Sequence, residues 1–224
     1  MSNDLVDLLS KATAETIYMV GLTTLIGLLI GFPLGVILVV SDKGNIVSLP
    51  KLNKVLGTII NIVRSLPEII LIIILLPLAR SIVGTTLGTN AAIVSLSIGS
   101  APFLARIIEN SLKEVTHGKI EAALAVGASP FQIIVKVLIP EALPSLVRGI
   151  TIGIISIIGF TAIAGAIGAG GLGSTAIRYG YQRFRTDILV ATVIVLVIIV
   201  QLVQFLGDFI AKLINKKRYK FDNK

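Results

Sequence analysis

The chain alternates between long apolar stretches and short polar ones. Residues 17–40 form a run of 24 residues without a charged side chain, and residues 188–207 form a similar run of 20. Because an α-helix rises 1.5 Å per residue, about 20 apolar residues cross the hydrocarbon core of a bilayer. Three further stretches, 57–78, 89–111 and 146–167, have comparable length and hydropathy. The pattern predicts an all-α integral membrane protein with five transmembrane helices.

The composition agrees with this prediction. The 224 residues are 54% hydrophobic, and the mean hydropathy is +0.96. A chain of this length has room for one membrane domain and for no separate soluble catalytic domain. We expect an extracytoplasmic segment over 1–12, a transmembrane domain over 13–208 and a basic cytoplasmic tail over 209–224. With no cysteine and one histidine, the sequence shows no disulfide framework and no zinc-site spacing, so we expect no bound metal.

The basic residues orient the predicted helices. Five spans put the termini on opposite sides of the membrane, and with the N-terminus outside, 15 of the 20 Lys and Arg residues lie on the inner side. The five on the outer side are Lys11, Arg80, Arg178, Arg183 and Arg185. Because cytoplasmic loops carry the excess of positive charge, this pattern predicts the N-terminus outside and the C-terminus inside. Topology thus accounts for the net charge of +8, and no nucleic-acid partner is needed.

The polar stretch 117–144 lies between the third and fourth predicted spans and therefore on the cytoplasmic side. Gly127 is suited to end a first short helix, because glycine adopts the left-handed conformation of a C-terminal cap. Ser129 can cap a second helix, Pro130 suits its first position, and Gln132 completes a capping box. Two short helices are therefore expected to meet at an elbow, defined here as residues 117–133.

The second predicted span is unusual because it contains Arg64 and Glu68. They are one helical turn apart and can form an ion pair. Ionisable residues at membrane depth usually face a protein interior or an aqueous cavity. Two interpretations follow: either the two residues lie near a translocation path, or they form an ion pair at the cytoplasmic end of the helix.

Nucleotide-binding motifs are not indicated. Residues 168–173 fit G-x-G-x-x-G, but the motif follows a predicted transmembrane helix and no strand, so we interpret it as a turn. No P-loop sequence occurs. We therefore expect a transport protein that binds no cofactor and is not itself an enzyme.

The polar stretch 117–144 carries a recognisable pattern, Glu121-Ala122-Ala123, then Gly127, then Val137-Leu138-Ile139-Pro140. This resembles the signature of binding-protein-dependent ABC importer permeases. The runs 61–67, 99–110, 140–144, 165–173 and 204–208 resemble the methionine-importer permeases of that family. The resemblance extends over about 13–208. Glu68 departs from it, since an apolar residue is expected there.

The resemblance implies a division of labour between subunits. ATP and Mg would be bound by two copies of a partner ATPase, and the first elbow helix would enter a groove on that ATPase. The residues expected to couple the two proteins are Glu121, Ala122, Ala123, Gly127, Ser129 and Pro130. For Glu121 we expect capping or an ion pair with an ATPase arginine, Lys119 or Arg106.

The resemblance also implies a homodimer in the cell membrane, with a methionine path on its two-fold axis. Candidates to line this path are Phe160, Thr161, Ile163 and Ala164 from the fourth span, together with Arg64 and Glu68. The outer loop, including Gly170, Gly171, Tyr179 and Tyr181, is expected to meet a substrate-binding lipoprotein.

Other functions are kept open by the sequence. The chain could be a permease for another small solute, such as a different amino acid or an osmolyte. It could also be a stand-alone proton-coupled carrier that uses Glu68. A membrane-embedded enzyme would need a cluster of His, Asp or Glu at membrane depth, to which only Arg64 and Glu68 come near.

Overall fold

The structure, a computed structural model, describes the backbone of residues 2–222 and the side chains of residues 4–216. Residue 1 of the predicted N-terminal segment lies outside the described residues. So do residues 223 and 224 of the predicted basic tail, and the tail side chains after residue 216. Within the described range every regular element is a helix. This confirms the predicted all-α fold class.

Four helical runs are long and apolar enough to cross a membrane. They are α1 (Ser2–Val40), α4 (Thr89–Lys113), the run Pro130–Ala166 and α9 (Thr186–Asp222). Two shorter helices, α2 (Pro50–Arg64) and α3 (Glu68–Val83), meet the same criteria when counted together as one bent span. The described chain therefore has four candidate spans, or five with the bent pair.

The expectation of one uninterrupted helix over 57–78 is wrong. The helix stops at Arg64 and restarts at Glu68 because Pro67 lacks an N–H and disfavours helical geometry at the residue before it. Arg64 and Glu68 consequently belong to different helices. Each charge instead suits its own helix end, because cations are favoured in a last turn and anions in a first turn.

The elbow leads into a longer helix than expected. A short helix α5 (His117–Ala125) precedes it, and α6 (Pro130–Ile133) then continues through a π-helical segment, Ile134–Leu138, into α7 (Ile139–Ala166). The second elbow helix is thus the start of a long span rather than a separate short helix. The π-helical segment ends two residues before Pro140, whose missing N–H disturbs the regular hydrogen bonding of the preceding turn.

The chain divides into two compact units. The first comprises residues 1–28, 65–101 and 154–203, and the second comprises residues 29–64, 102–153 and 204–224. The first unit has a core built around Met19, Ile72, Leu96 and Ala164. The second has a smaller core of Leu38, Ile60 and Ala105.

Glycines permit very close packing in the first unit. A short helix α8 (Gly171–Thr175) follows α7 and is buried throughout. A Cβ on Gly173 would lie 2.4 Å from Ala162 Cα, and one on Gly165 would lie 2.4 Å from Ser174 N. Residues 168–173 therefore form more than the simple turn we expected: a turn followed by a helix pressed against the backbone of α7.

Replacing Gly173 by alanine is expected to destabilise the protein by about 1–3 kcal/mol, because the added methyl group has backbone atoms as its neighbours. Thermal unfolding of the purified protein in detergent measures this change. Gly21→Ala is the matched control, since a Cβ there meets nothing within 4 Å and alanine favours helix. Equal unfolding temperatures for the two variants would contradict the packing described.

Candidate functional site

The elbow turns at Gly127, directly after α5. Gly127 has φ +77°, in the left-handed region that favours glycine. Its N–H donates to the Leu124 carbonyl at 2.9 Å, and the next N–H, from Ala128, donates to the Ala123 carbonyl at 3.1 Å. A Cβ at this position would meet nothing within 4 Å. Glycine is therefore required here by backbone conformation and not by crowding.

The capping box predicted after the turn is present. The Ser129 hydroxyl accepts a hydrogen bond from the Gln132 N–H at 3.3 Å, and the Gln132 side chain accepts one from the Ser129 N–H at 2.9 Å. Pro130 occupies a first-turn position of α6. The capping box thus provides hydrogen-bond partners for backbone N–H groups at the start of α6.

The elbow has one buried apolar side chain that anchors it and several apolar side chains that are exposed. Ile120 is buried and anchors α5, whereas Val126 is 83% exposed and Phe131 is 74% exposed. Glu121 and Ala122 are exposed, and Ala123 is half-buried. Exposed apolar side chains beside small residues are typical of a surface that receives another protein.

The charged residues around α5 pair differently from our expectation. Glu121 Oε1 lies 3.1 Å from His117 Nδ1, so its partner within the chain is neither Lys119 nor Arg106. Lys119 Nζ instead lies 2.5 Å from Glu141 Oε2 in α7. This ion pair ties α5 to the start of the following span.

The residues proposed from the sequence to line a path differ in accessibility. Thr161 is 2% exposed and its hydroxyl donates to the Ile158 carbonyl, while Ala164 belongs to the core of the first unit. Phe160 is half-buried and packs against that core. Ile163, at 38% exposed, is the most accessible of the four to a ligand or a second subunit.

Glu68 and Arg64, the charged candidates for the translocation path, lie on different helices and differ in burial. Arg64 is exposed at the end of α2. Glu68 is half-buried, and its Oε1 has no hydrogen-bond partner among the described residues. A Cβ on Gly99 would lie 3.5 Å from that oxygen, so the absence of a side chain there leaves space for the carboxylate.

A contact between α1 and α8 was not foreseen from the sequence. Glu15 Oε2 accepts from the Gly171 N–H at 2.7 Å, and Thr16 Oγ1 accepts from the Leu172 N–H at 2.9 Å. These bonds satisfy free N–H groups at the start of α8. Gly171 is consequently buried, and Tyr181, at 74% exposed, is the better placed of the outer-loop candidates to meet a partner.

Comparison with known proteins identifies the family. Residues 27–220 match the model of the binding-protein-dependent transport system inner membrane component. The chain belongs to this family. It is a multi-pass membrane protein, in agreement with its apolar helices.

Relatives of this inner membrane component share most of its length. A probable D-methionine transport system permease protein MetI from Vibrio cholerae is 44% identical over 211 residues, which are 94% of either chain. The methionine import system permease protein MetP from Bacillus subtilis is 47% identical over 207 residues, covering 92% of this chain and 93% of MetP.

Its fold also resembles that of a solved transporter. A chain from a structure described as inward-facing conformations of the MetNI methionine ABC transporter superimposes with a TM-score of 0.94 at 45% identity. The superposition covers 96% of this chain and 99% of that one. The resemblance to methionine-importer permeases noted in the sequence is thereby confirmed.

The conformational role of Gly127 can be tested in this inner membrane component. Gly127→Ala places a side chain in the left-handed region, at a cost of about 1–2 kcal/mol, and Gly127→Asn is expected to cost less. Exchange of the Ala128 amide hydrogen should become roughly 5- to 30-fold faster in Gly127→Ala. Gly118→Ala is the control, because Gly118 is helical and open. Equal exchange in both alanine variants would contradict the stated role of Gly127.

Proposed function

We propose that this chain is the membrane-spanning permease subunit of an ATP-driven importer that carries methionine into the cell by alternating access. The observation that carries the proposal is the similarity, along nearly the whole chain, to a subunit of a methionine ABC transporter. The methionine relatives from Vibrio cholerae and Bacillus subtilis support the same substrate. The domain assignment follows, with a transmembrane domain over 13–208, a preceding extracytoplasmic segment and a basic cytoplasmic tail.

The orientation proposed is N-terminus outside and C-terminus inside. It is supported by the 15 basic residues that this orientation puts on the inner side, against five on the outer side. The same orientation puts the elbow in the cytoplasm and Tyr181 and Phe184 outside. Both aromatic side chains are largely exposed, at 74% and 87%, which suits an outer surface that receives a substrate-binding lipoprotein.

The elbow is proposed to receive mechanical work from a separate ATPase subunit. Val126 and Phe131 present an exposed apolar surface, and Ala122 and Ala123 allow close approach of a groove. The turn at Gly127 and the caps at Ser129 and Pro130 keep this surface in a fixed shape. ATP and Mg belong to the ATPase in this scheme, and the permease contributes no catalytic residue.

Two copies of the permease are proposed to enclose the path, each bound to one ATPase subunit. Closed two-fold assemblies are the commonest oligomers, and one chain of this size encloses little space. The accessible Ile163 and the half-buried Phe160 are the better candidates to face the path, while Thr161 and Ala164 support them from inside the chain. Closing of the two ATPases would move the attached helices and switch the path from one side to the other.

Uptake by reconstituted vesicles tests this function. Vesicles that contain the chain, its ATPase and its binding protein should accumulate labelled methionine when ATP and Mg are supplied. A proton ionophore should leave uptake intact, because ATP and not a proton gradient supplies the energy. Uptake that needs a gradient and ignores ATP would overturn the proposal in favour of a carrier using Glu68. No uptake of methionine when ATP, Mg and the binding protein are present would overturn the substrate.

A further inference from the structure

Three charged side chains lie on one face of α4 near its C-terminal end, and we call them the α4 charge cluster: Arg106, Glu109 and Lys113. They are spaced i, i+3 and i+7, so they lie above one another along the helix. Glu109 is 3% exposed. Its Oε2 lies 2.5 Å from Arg106 Nη1 and its Oε1 lies 2.8 Å from Lys113 Nζ. One buried carboxylate therefore holds two cations.

Both cations of the cluster also reach neighbouring segments. Arg106 Nη2 donates to the Gly57 carbonyl at 3.1 Å and to Asn61 Oδ1 at 2.9 Å, both in α2. Lys113 Nζ lies 3.4 Å from Asp42 Oδ2, two residues after the end of α1. Through its two cations, Glu109 connects α4 with α2 and with the end of α1.

Both polar and apolar groups of α2 face α4, and Gly57 and Asn61 are the polar ones that contact this cluster. Asn53 adds a polar contact of α2, since its side-chain amide donates to the Leu38 carbonyl and lies 3.3 Å from the Ser41 hydroxyl. The apolar side chains on the opposite side of α2 are exposed: Leu52, Val55, Ile59 and Ile62. Ile60 is the buried residue of this helix. Ile60 packs with Leu38 and Ala105, and Leu56 packs against them, so an apolar contact and the hydrogen bonds of Arg106 together attach α2 to its neighbours.

The cluster lies immediately before the elbow. Three residues, 114–116, separate the end of α4 from the start of α5. The connection is hydrogen-bonded, with the Val115 N–H donating to the Leu112 carbonyl at 3.2 Å and the Lys119 N–H to the Thr116 carbonyl at 3.1 Å. Because only three residues connect the two helices, we expect a displacement of α5 to act on the end of α4.

We infer that Glu109 is a positioning residue that makes α2 and the end of α1 move together with α4 and α5 when the ATPase draws the elbow inward. This rests on the proposed function. Exposed ion pairs are weak and rearrange readily, but a buried carboxylate that loses its charge leaves two cations without their partner. The link to α2 through Arg106 therefore rests on a buried ion pair, whereas the link to the end of α1 ends in the exposed pair of Lys113 with Asp42 and is the weaker of the two.

The ratio of methionine transported to ATP hydrolysed tests the inference in reconstituted vesicles. Glu109→Gln should lower this ratio about tenfold, within the range found for coupling between distant sites, while hydrolysis continues. Glu109→Asp keeps the charge and should restore part of the ratio. Glu114→Gln, which removes an exposed carboxylate five residues further on, should leave the ratio unchanged. An unchanged ratio in Glu109→Gln would overturn the inference, whatever the absolute rates are.

A second variant tests the positioning role of Glu109 if Glu109→Gln does not assemble with the ATPase. Asn61→Ala removes one α2 acceptor of Arg106 and leaves the ion pairs of Glu109 in place. Because Asn61 is exposed, the fold should tolerate the change. A lowered ratio in this variant supports the inference, and an unchanged ratio overturns it.

A distance measurement is independent of the transported solute. The chain has no cysteine, so Leu52→Cys in α2 and Gly118→Cys in the first turn of α5, outside the residues proposed to contact the ATPase, provide the two sites for spin labels in one chain. Their separation within the chain should stay constant when ATP binds to the assembled wild-type complex, and it should broaden or shift in Glu109→Gln. An ATP-dependent change of this distance in the wild type would overturn the inference. If methionine uptake fails while the distance behaves as stated, only the proposed function is contradicted.

Discussion

The left-handed turn at Gly127 is the constraint on which the architecture of the elbow depends. It ends α5 within one residue and lets the chain enter the next helix after the cap at Ser129. Lys119 and Glu141 then bind α5 to α7 across this turn. The backbone turn and the buried Ile120 set the direction of α5, and the exposed ion pair adds a weaker contact.

Small residues occupy the closest helix contacts in this chain. In a bilayer, lipid tails solvate apolar side chains as well as other side chains do, so helices associate through close backbone approach and polar contacts. Both kinds of contact, close backbone approach and polar contacts, are present in this chain. Gly173 lies against Ala162 in the first unit, and in the second unit a Cβ on Gly35 would lie 2.7 Å from the Ala105 carbonyl oxygen. The hydrogen bonds of Arg106 with α2 are an example of the polar contacts.

The sequence predicted the local features of the elbow because they depend on neighbouring residues. Gly127 fixes the turn by its backbone preference, Ser129 and Gln132 form the cap through their side chains, and the structure has both features as expected. Pro67 also indicated a helix break by its own backbone preference. Because apolar residues continue on both sides of it, one continuous span was expected where the chain has two helices.

Contacts between residues far apart in the chain could not be predicted from neighbouring residues. Arg106 and Asn61 are 45 residues apart, and Glu15 and Gly171 are 156 residues apart, so no short-range pattern links them. The inward side of an apolar helix is equally hidden, because polarity does not separate its lipid-facing and protein-facing sides. For that reason Ala164 and Ile163, neighbours in one apolar run, were proposed for the same role although one is buried and the other is exposed.

Site-directed cross-linking tests the central claim, that the elbow meets the ATPase in the cytoplasm, most directly. Since the chain lacks cysteine, Val126→Cys gives it a single thiol that can carry a photoreactive group. Illumination of the assembled complex should attach the ATPase subunit to this position and stop ATP-driven uptake. The same group on Phe184→Cys, which is equally exposed, should not capture the ATPase. Capture of the ATPase at Phe184→Cys and not at Val126→Cys would contradict both the orientation and the role of the elbow.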